Sequence, residues 1–230
     1  MEKQTPKQLI LKSLEEKSSL KQDVFQNTKD TFGDLRTVIH EVVSEMKDYA
    51  SKIDKRLIID YKEISDYQIQ MRVAGDTLIF FMHTNIFEFD KSHRIWKTSY
   101  VKDDPLRSFC GMINVYNFLS DSFRYNRVND LGYLIGRIFV NKEHHYFMEG
   151  KRQLGFLYND FVNTTIDKHA LRAIVESAIL YCLSFDLFAP PFDSVKEVTV
   201  NEIQEVNNSM QMQTGKRLGF RFQADSDHIE

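Results

Sequence analysis

The chain has 230 residues and a formal net charge of −3, so its charge gives no reason to expect a nucleic-acid or anionic-membrane partner. Hydrophobic residues make up 42% and charged residues 27%, a composition that is typical of globular proteins and argues against disorder. The two cysteines, Cys110 and Cys182, lie in no pairing motif, which predicts reduced core thiols and a cytoplasmic protein.

The first 55 residues have the pattern of helix. Thr5-Pro6-Lys7-Gln8 is a start signal, and Leu9, Ile10 and Leu14 then form a short apolar face. Ser18-Ser19 is a candidate interruption, and a longer helix is predicted from about Asp23 to Asp54, with a break near Gly33 left open. This longer helix carries one apolar stripe at three- and four-residue steps: Leu35, Val38, Ile39, Val42, Met46, Tyr49 and Ile53.

The stripe has two interpretations. It docks on the sheet of the same chain, or it pairs with a second copy or a partner helix. We therefore expect self-association or a protein partner through the amino-terminal helices.

Strands are predicted from about Arg56, where the hydrophobic period changes from 3.6 to 2. Residues 67–73 alternate, Ala74-Gly75-Asp76 is a turn signal, and Leu78 to Met82 is apolar throughout, as in a strand covered on both faces. Residues 86–89 continue the sheet, followed by a strand containing Ile95 and Trp96. Residues 108–123 fit either a strand or a helix.

A hairpin follows, with strands at Leu131 to Val140 and His144 to Met148 joined by Asn141-Lys142-Glu143. Residues 150–153 form a turn that leads into another strand at Leu154 to Tyr158. Short connections between successive strands favour an antiparallel sheet.

Helix returns after Thr165 and stops at Pro190-Pro191. The most apolar stretch, Ala170 to Ala189, contains Arg172, Glu176 and Asp186, so it predicts a core helix and no membrane span. The polar start of the chain predicts no signal peptide. Residues 194–209 fit helix or strand, and Gly215 to Phe222 alternates as a final strand.

Together these elements predict one α+β domain. A mostly antiparallel sheet of about five to eight strands from residues 56–158, plus a C-terminal strand, is packed by the N-terminal helices and a helix near 166–188. The helical segments are 1–55 and 159–230, the second of which ends in the strand.

Two carboxylates and a lysine of the hairpin are the strongest candidates for chemistry. Asp130 precedes the first strand and Glu149 ends the return strand, so antiparallel pairing brings these ends together. Two carboxylates suit Mg²⁺, and Lys151 can stabilise developing negative charge.

The spacing of Asp130, Glu149 and Lys151 resembles the Asp…Glu-x-Lys core of restriction-endonuclease-like nucleases. The resemblance covers about 22 residues and implies that Asp130 and Glu149 bind metal and that Lys151 is catalytic. It also implies a further acidic ligand on a preceding helix, for which Glu41 and Glu45 are candidates.

The remaining candidates are isolated. His144 and His145 point to opposite faces of a strand, which predicts loop-edge histidines, and Cys110 has no identifiable catalytic partner. The basic residues Arg124, Arg127, Lys151, Arg152, Lys216 and Arg217 form a candidate nucleic-acid surface. Residues 121–160 carry a net charge of only +1, so nucleic-acid binding is expected only with the nuclease alternative. We therefore expect a non-enzymatic interaction module without a cofactor, and alternatively a Mg²⁺-dependent phosphodiesterase.

Overall fold

A computed structural model describes residues 5–186, 189 and 191–201 of the chain. The helices are α1 (Pro6–Ser13), α2 (Ser19–Ile53), α3 (Ser99–Asp103), α4 (Ser120–Arg124), α5 (Gln153–Phe156), α6 (Lys168–Leu183) and α7 (Phe192–Val195). A π-helical turn, Leu14–Ser18, joins α1 to α2, and two 3₁₀ helices span Arg94–Lys97 and Pro105–Ser108. The strands are β1 (Ile59–Ser65), β2 (Gln68–Val73), β3 (Asp76–Met82), β4 (Phe87–Glu88), β5 (Phe109–Leu119), β6 (Tyr133–Asn141) and β7 (Tyr146–Gly150).

The strands form one seven-stranded antiparallel sheet in the order β1-β2-β3-β5-β6-β7, with β4 paired to the start of β5. Most neighbours in this order are also neighbours in sequence, joined by the short connections that the sequence predicted. The predicted α+β class and antiparallel sheet are confirmed. That the whole chain forms one domain stays a prediction.

Helices α2 and α6 cover one face of the sheet and build the main core. Leu35, Val38, Ile39 and Val42 of the predicted stripe are at most 1% exposed and pack with the inward side chains of the strands. This half of the stripe docks on the chain's own sheet, as one of the two interpretations predicted. Helix α6 confirms the predicted helix near 166–188, and no described helix is long and apolar enough to cross a membrane.

Helix α2 lies close to the sheet where Thr28 faces Gly111 of β5. Thr28 is buried and donates its hydroxyl hydrogen to the carbonyl of Val24 at 2.7 Å. A Cβ placed on Gly111 would lie 1.9 Å from the Thr28 oxygen, so only glycine fits there. Asn27 adds a second tether by donating to the carbonyl of Lys142 at 2.8 Å.

The opposite face of the sheet carries a smaller aromatic core over β5, β6 and β7. Phe139, Phe147 and Phe161 are buried there with Ile95 and Tyr100, and Phe139 stacks on Phe147 with ring centroids 5.0 Å apart. The 3₁₀ helix Arg94–Lys97 and α3 supply Ile95 and Tyr100.

The predicted strand containing Ile95 and Trp96 is wrong, because these residues lie in the 3₁₀ helix. The ring of His93 accepts from the backbone N–H of Ile95 at 3.4 Å, and the Trp96 indole donates to the carbonyl of Phe89 at 3.1 Å. These local hydrogen bonds favour a tight turn over an extended strand.

The predicted strand at Leu154 to Tyr158 is also wrong, because α5 occupies most of it. Arg152 has a φ of 49° and reverses the chain immediately after β7. Gly155 then packs on the backbone of Gly150, where an added Cβ would meet the Gly150 carbonyl oxygen at 2.1 Å.

The open assignments are resolved where the structure describes them. Residues 108–123 form β5 followed by α4, and α2 continues through Gly33 without a break. The interruption near Ser18-Ser19 is the π-helical turn. The predicted strand at 215–222 and residues 202–209 of the uncertain segment lie outside the described residues.

We predict that Gly111→Ala destabilises the protein by about 1–3 kcal/mol, because the new methyl group would overlap the Thr28 side chain. Chemical denaturation measures this change, and adding Thr28→Ala should restore part of the loss. Gly33→Ala is the control: nothing lies within 4 Å of its added Cβ, and alanine should stabilise the α2 interior by about 1 kcal/mol. Equal effects of the two substitutions would contradict the close approach.

Candidate functional site

Asp130 lies in the loop between α4 and β6, where its carboxylate is already occupied. It forms an ion pair with Arg127 at 3.0 Å and accepts from the Ser122 hydroxyl at 2.7 Å. The Arg127 side chain is only 5% exposed. A buried guanidinium needs a charged partner, so this pair has a structural task.

Glu149 lies on β7 and points away from α2 and α6, since its neighbour Met148 belongs to the core under those helices. Its carboxylate forms an ion pair with Arg137, the residue directly opposite on β6, and one oxygen is 3.4 Å from Nε2 of His93. The strand ends at Gly150, so Lys151 does not continue it.

The structure thus gives Asp130 and Glu149 different partners. A carboxylate that is already paired with arginine is a poor ligand for a metal cation, so these contacts add no support for a shared Mg²⁺. Glu45, one of the proposed further ligands, forms a hydrogen-bonded ion pair with Arg172, which lowers the pKa of Glu45. Among the residues that the structure describes, no three His, Cys, Asp or Glu side chains gather as a metal site. The metal site stays a prediction.

The isolated histidines and cysteines of the sequence have packing or hydrogen-bonding roles or lie exposed in a turn. His145 bonds through Nδ1 to the carbonyl of Phe161 at 3.0 Å and stacks on Tyr100, whereas His144 is exposed in the turn. Neither Cys110 nor Cys182 forms a disulfide, and both thiols are buried. Burial raises the pKa of Cys110, which keeps it protonated and unreactive.

The first part of the amino-terminal helical run is an exposed surface. Every side chain from Thr5 to Ser19 is exposed, and the first buried residue is Leu20. At ~1.5 Å per residue, this exposed helical stretch is about 20 Å long. Thr5 begins it with a capping box, in which the backbone N–H of Gln8 bonds to the Thr5 hydroxyl at 3.3 Å and that of Thr5 bonds to Oε1 of Gln8 at 2.8 Å. The predicted start signal is confirmed.

One side of this helix is apolar, and none of the elements that the structure describes covers it. Ile10, Leu11 and Leu14 are 60%, 54% and 54% exposed, and their spacing places them on one face. Lys7 lies on this face one turn before Ile10, and Glu15 follows Leu11 by one turn. The apolar surface therefore has a cation at its first end and an anion at its second. We call these five residues the amino-terminal face.

A second apolar surface lies at the carboxyl end of α2. The sequence analysis assigned its residues to the same stripe as the buried residues of the helix. A cavity of about 490 Å³ opens between α2, the start of β1 and the end of α6. Tyr49 and Ile53 of the stripe line it and are 69% and 63% exposed. The other apolar side chains lining it are Met46, Ala50, Leu57, Ile59, Val73, Ala74 and Leu183, and Glu45 lies at its rim.

Comparisons of the chain with protein-family models, with curated proteins and with solved structures found no match.

We predict that Asp130→Asn lowers the free energy of unfolding by about 3–5 kcal/mol, because it removes one charge of a largely buried ion pair. Urea denaturation measures the change. Asp160→Asn is the comparison for an exposed aspartate and should change stability much less. Equal, small changes in the free energy of unfolding would mean that the Asp130 ion pair does not stabilise the fold.

For the metal site, we expect a calorimetric titration with Mg²⁺ to give the same baseline heat for the wild type and for Glu149→Ala, since Arg137 already neutralises this carboxylate. A saturable wild-type heat that Glu149→Ala abolishes would instead support the metal-dependent alternative.

Proposed function

We propose that this protein is a non-enzymatic interaction module that self-associates. The amino-terminal face of one copy pairs with the amino-terminal face of a second copy. The observation that supports the proposal is the helical stretch from Thr5 to Ser19, in which every residue is exposed and three apolar side chains share one face. An amphipathic helix gains stability when such a face is covered, and a matching helix is the simplest cover.

The charges at the two ends of the face favour an antiparallel pair. With Leu11 near the two-fold axis, Lys7 of each copy faces Glu15 of the other. A parallel pair would instead place Lys7 beside Lys7 and Glu15 beside Glu15, and like-charge contacts cost stability. The proposed dimer is therefore antiparallel and isologous.

The pairing is expected to be weak. Covering the exposed half of an Ile or Leu side chain contributes about 1 kcal/mol, so six side chains contribute about 6 kcal/mol. Association costs roughly 4–15 kcal/mol at a 1 M standard state. Because this gain does not clearly exceed the cost, dimerisation should be weak and concentration-dependent, as for a transient contact.

A cytoplasmic location is part of the proposal, supported by two cysteines that are buried and form no disulfide. The metal-dependent phosphodiesterase with Asp130, Glu149 and Lys151 has no additional observation in its favour.

The proposal predicts that sedimentation equilibrium up to about 1 mM shows a monomer–dimer equilibrium that Ile10→Asp or Leu14→Asp shifts at least tenfold toward monomer. Val128→Asp is the control, because Val128 is 80% exposed but lies outside the face. A wild type that remains monomeric at 1 mM would contradict self-association. Binding of this face to a different protein would then be the surviving form of an interaction module.

The charges give a sharper test. Lys7→Glu and Glu15→Lys should each weaken the dimer, and the double variant should recover it, because the swapped charges face each other again in an antiparallel pair. A double variant that is as weak as either single variant would exclude the antiparallel arrangement.

A further inference from the structure

We propose that β1 of one copy of this protein pairs in antiparallel orientation with β1 of a second copy. Strand β1 lies at one edge of the sheet and pairs with β2 on one side. Among the residues that the structure describes, no strand pairs with its other side. At the opposite edge, β7 already bonds to the following chain, because Met148 donates to the carbonyl of Tyr158 at 2.7 Å. The contact through β1 is separate from the amino-terminal face.

The hydrogen bonds of β1 show which of its backbone groups point away from the sheet. The carbonyl of Ile58 accepts from the backbone N–H of Ala74 at 2.9 Å, so the groups of Ile58 point toward β2. This direction alternates along an antiparallel strand, as far as the bulge between Glu63 and Ser65. The residues whose groups point outward are therefore Ile59, Tyr61 and Glu63. Edge strands with such groups readily accept another strand.

The direction of these groups limits the register of a pair of β1 strands. Outward-pointing residues of one copy must lie opposite outward-pointing residues of the other, because only then do their N–H and C=O groups exchange hydrogen bonds. In a two-fold pair this condition places a residue on the axis, opposite the same residue of the second copy.

Charge selects Tyr61 as the residue on the axis. When Tyr61 lies opposite Tyr61, Asp60 of each copy lies opposite Lys62 of the other. Moving the axis by one residue would place Asp60 opposite Asp60 or Lys62 opposite Lys62, and moving it further shortens the paired stretch. Opposite charges in cross-strand pairs stabilise a sheet, whereas like charges destabilise it.

The two charged residues are accessible to a second copy. Asp60 and Lys62 are exposed, and they point away from α2 because Ile59 points into the core beneath that helix. Within the chain, Arg72 of β2 lies opposite Asp60, and the neutral Gln70 lies opposite Lys62. The second copy would therefore give Lys62 a carboxylate as its neighbour on the free side.

The side chains on the α2 face add no unpaired charge to the contact. Tyr61 packs edge-on against His40, with ring centroids 5.5 Å apart. Glu63 lies opposite Ile59 of the second copy in this register, and Arg36 of its own chain balances its charge through an ion pair at 3.3 Å. The contact thus combines backbone hydrogen bonds with two reciprocal charge pairs.

Hydrogen exchange of the Leu14→Asp chain tests this contact separately from the proposed function, because this variant disrupts the amino-terminal face. The amides of Ile59, Tyr61 and Glu63 should exchange at least twofold more slowly at about 1 mM than at about 20 µM protein, since a second copy bonds them. Exchange that does not depend on concentration would overturn the proposal. Fast exchange would mean that the edge stays unpaired, and slow exchange that a segment of the same chain covers it.

The charges supply a second measurement on the same chain. Lys62→Glu should abolish the concentration dependence, because it places carboxylates opposite each other, and adding Asp60→Lys should restore it. Lys52→Glu is the matched control, since Lys52 is exposed on α2 and lies outside the contact. If the double variant behaved like Lys62→Glu alone, this register would be excluded.

A cysteine on the axis tests the register directly. Two residues at position 61 would have Cα atoms about 5.5 Å apart, within disulfide range, whereas two residues at position 62 would be about 7–8 Å apart. Under mild oxidation, Tyr61→Cys should therefore form linked dimers in higher yield than Lys62→Cys, again in the Leu14→Asp chain. The native Cys110 and Cys182 thiols are buried and do not compete. Equal yields, or a higher yield from Lys62→Cys, would overturn the proposed pairing.

Discussion

The difference in length between the amino-terminal helical run and the sheet determines which surfaces of this protein are covered. The run from Pro6 to Ile53 is about 70 Å long at ~1.5 Å per residue, whereas the longest strand, β5, spans about 36 Å at ~3.3 Å per residue. The sheet can therefore bury only the middle of the helix. Apolar side chains remain exposed at both ends, and the proposed self-association concerns the first of these ends.

The contact of Thr28 with Gly111 fixes where the helix lies along the sheet. Because glycine allows a close approach at this point, α2 enters beside the start of β5 and ends beside Ile59 and Val73 at the other end of the sheet. Arg172 of α6 holds Glu45 near the second end. Sliding the helix by one turn would remove these contacts together, so the exposed ends follow from packing in the middle.

Hydrophobic period predicted the long helix, the hairpin and the antiparallel sheet because each depends on local pattern. The strand at Ile95 and Trp96 could not be excluded from period alone, since the hydrogen bonds of His93 and Phe89 decide the 3₁₀ turn. The partner of Glu149 was not predicted: the three-residue loop of the predicted hairpin pairs Val140 with His144, whereas the observed register pairs Val140 with Tyr146 and so places Arg137 opposite Glu149. The ion pair of Asp130 with Arg127 depends on a loop conformation that the sequence does not specify. The exposure of the second half of the helical stripe was not predicted either, because it depends on where the sheet ends.

Disulfide trapping between two copies tests the central claim, that the uncovered helix pairs with itself in antiparallel orientation, most directly. Mixing the Lys7→Cys protein with the Glu15→Cys protein at high concentration under mild oxidation should yield mainly the mixed disulfide. The antiparallel arrangement places position 7 of one copy opposite position 15 of the other, and it keeps position 7 of one copy distant from position 7 of the other. A statistical mixture of the three disulfides, or a preference for the two homodimers, would contradict the account.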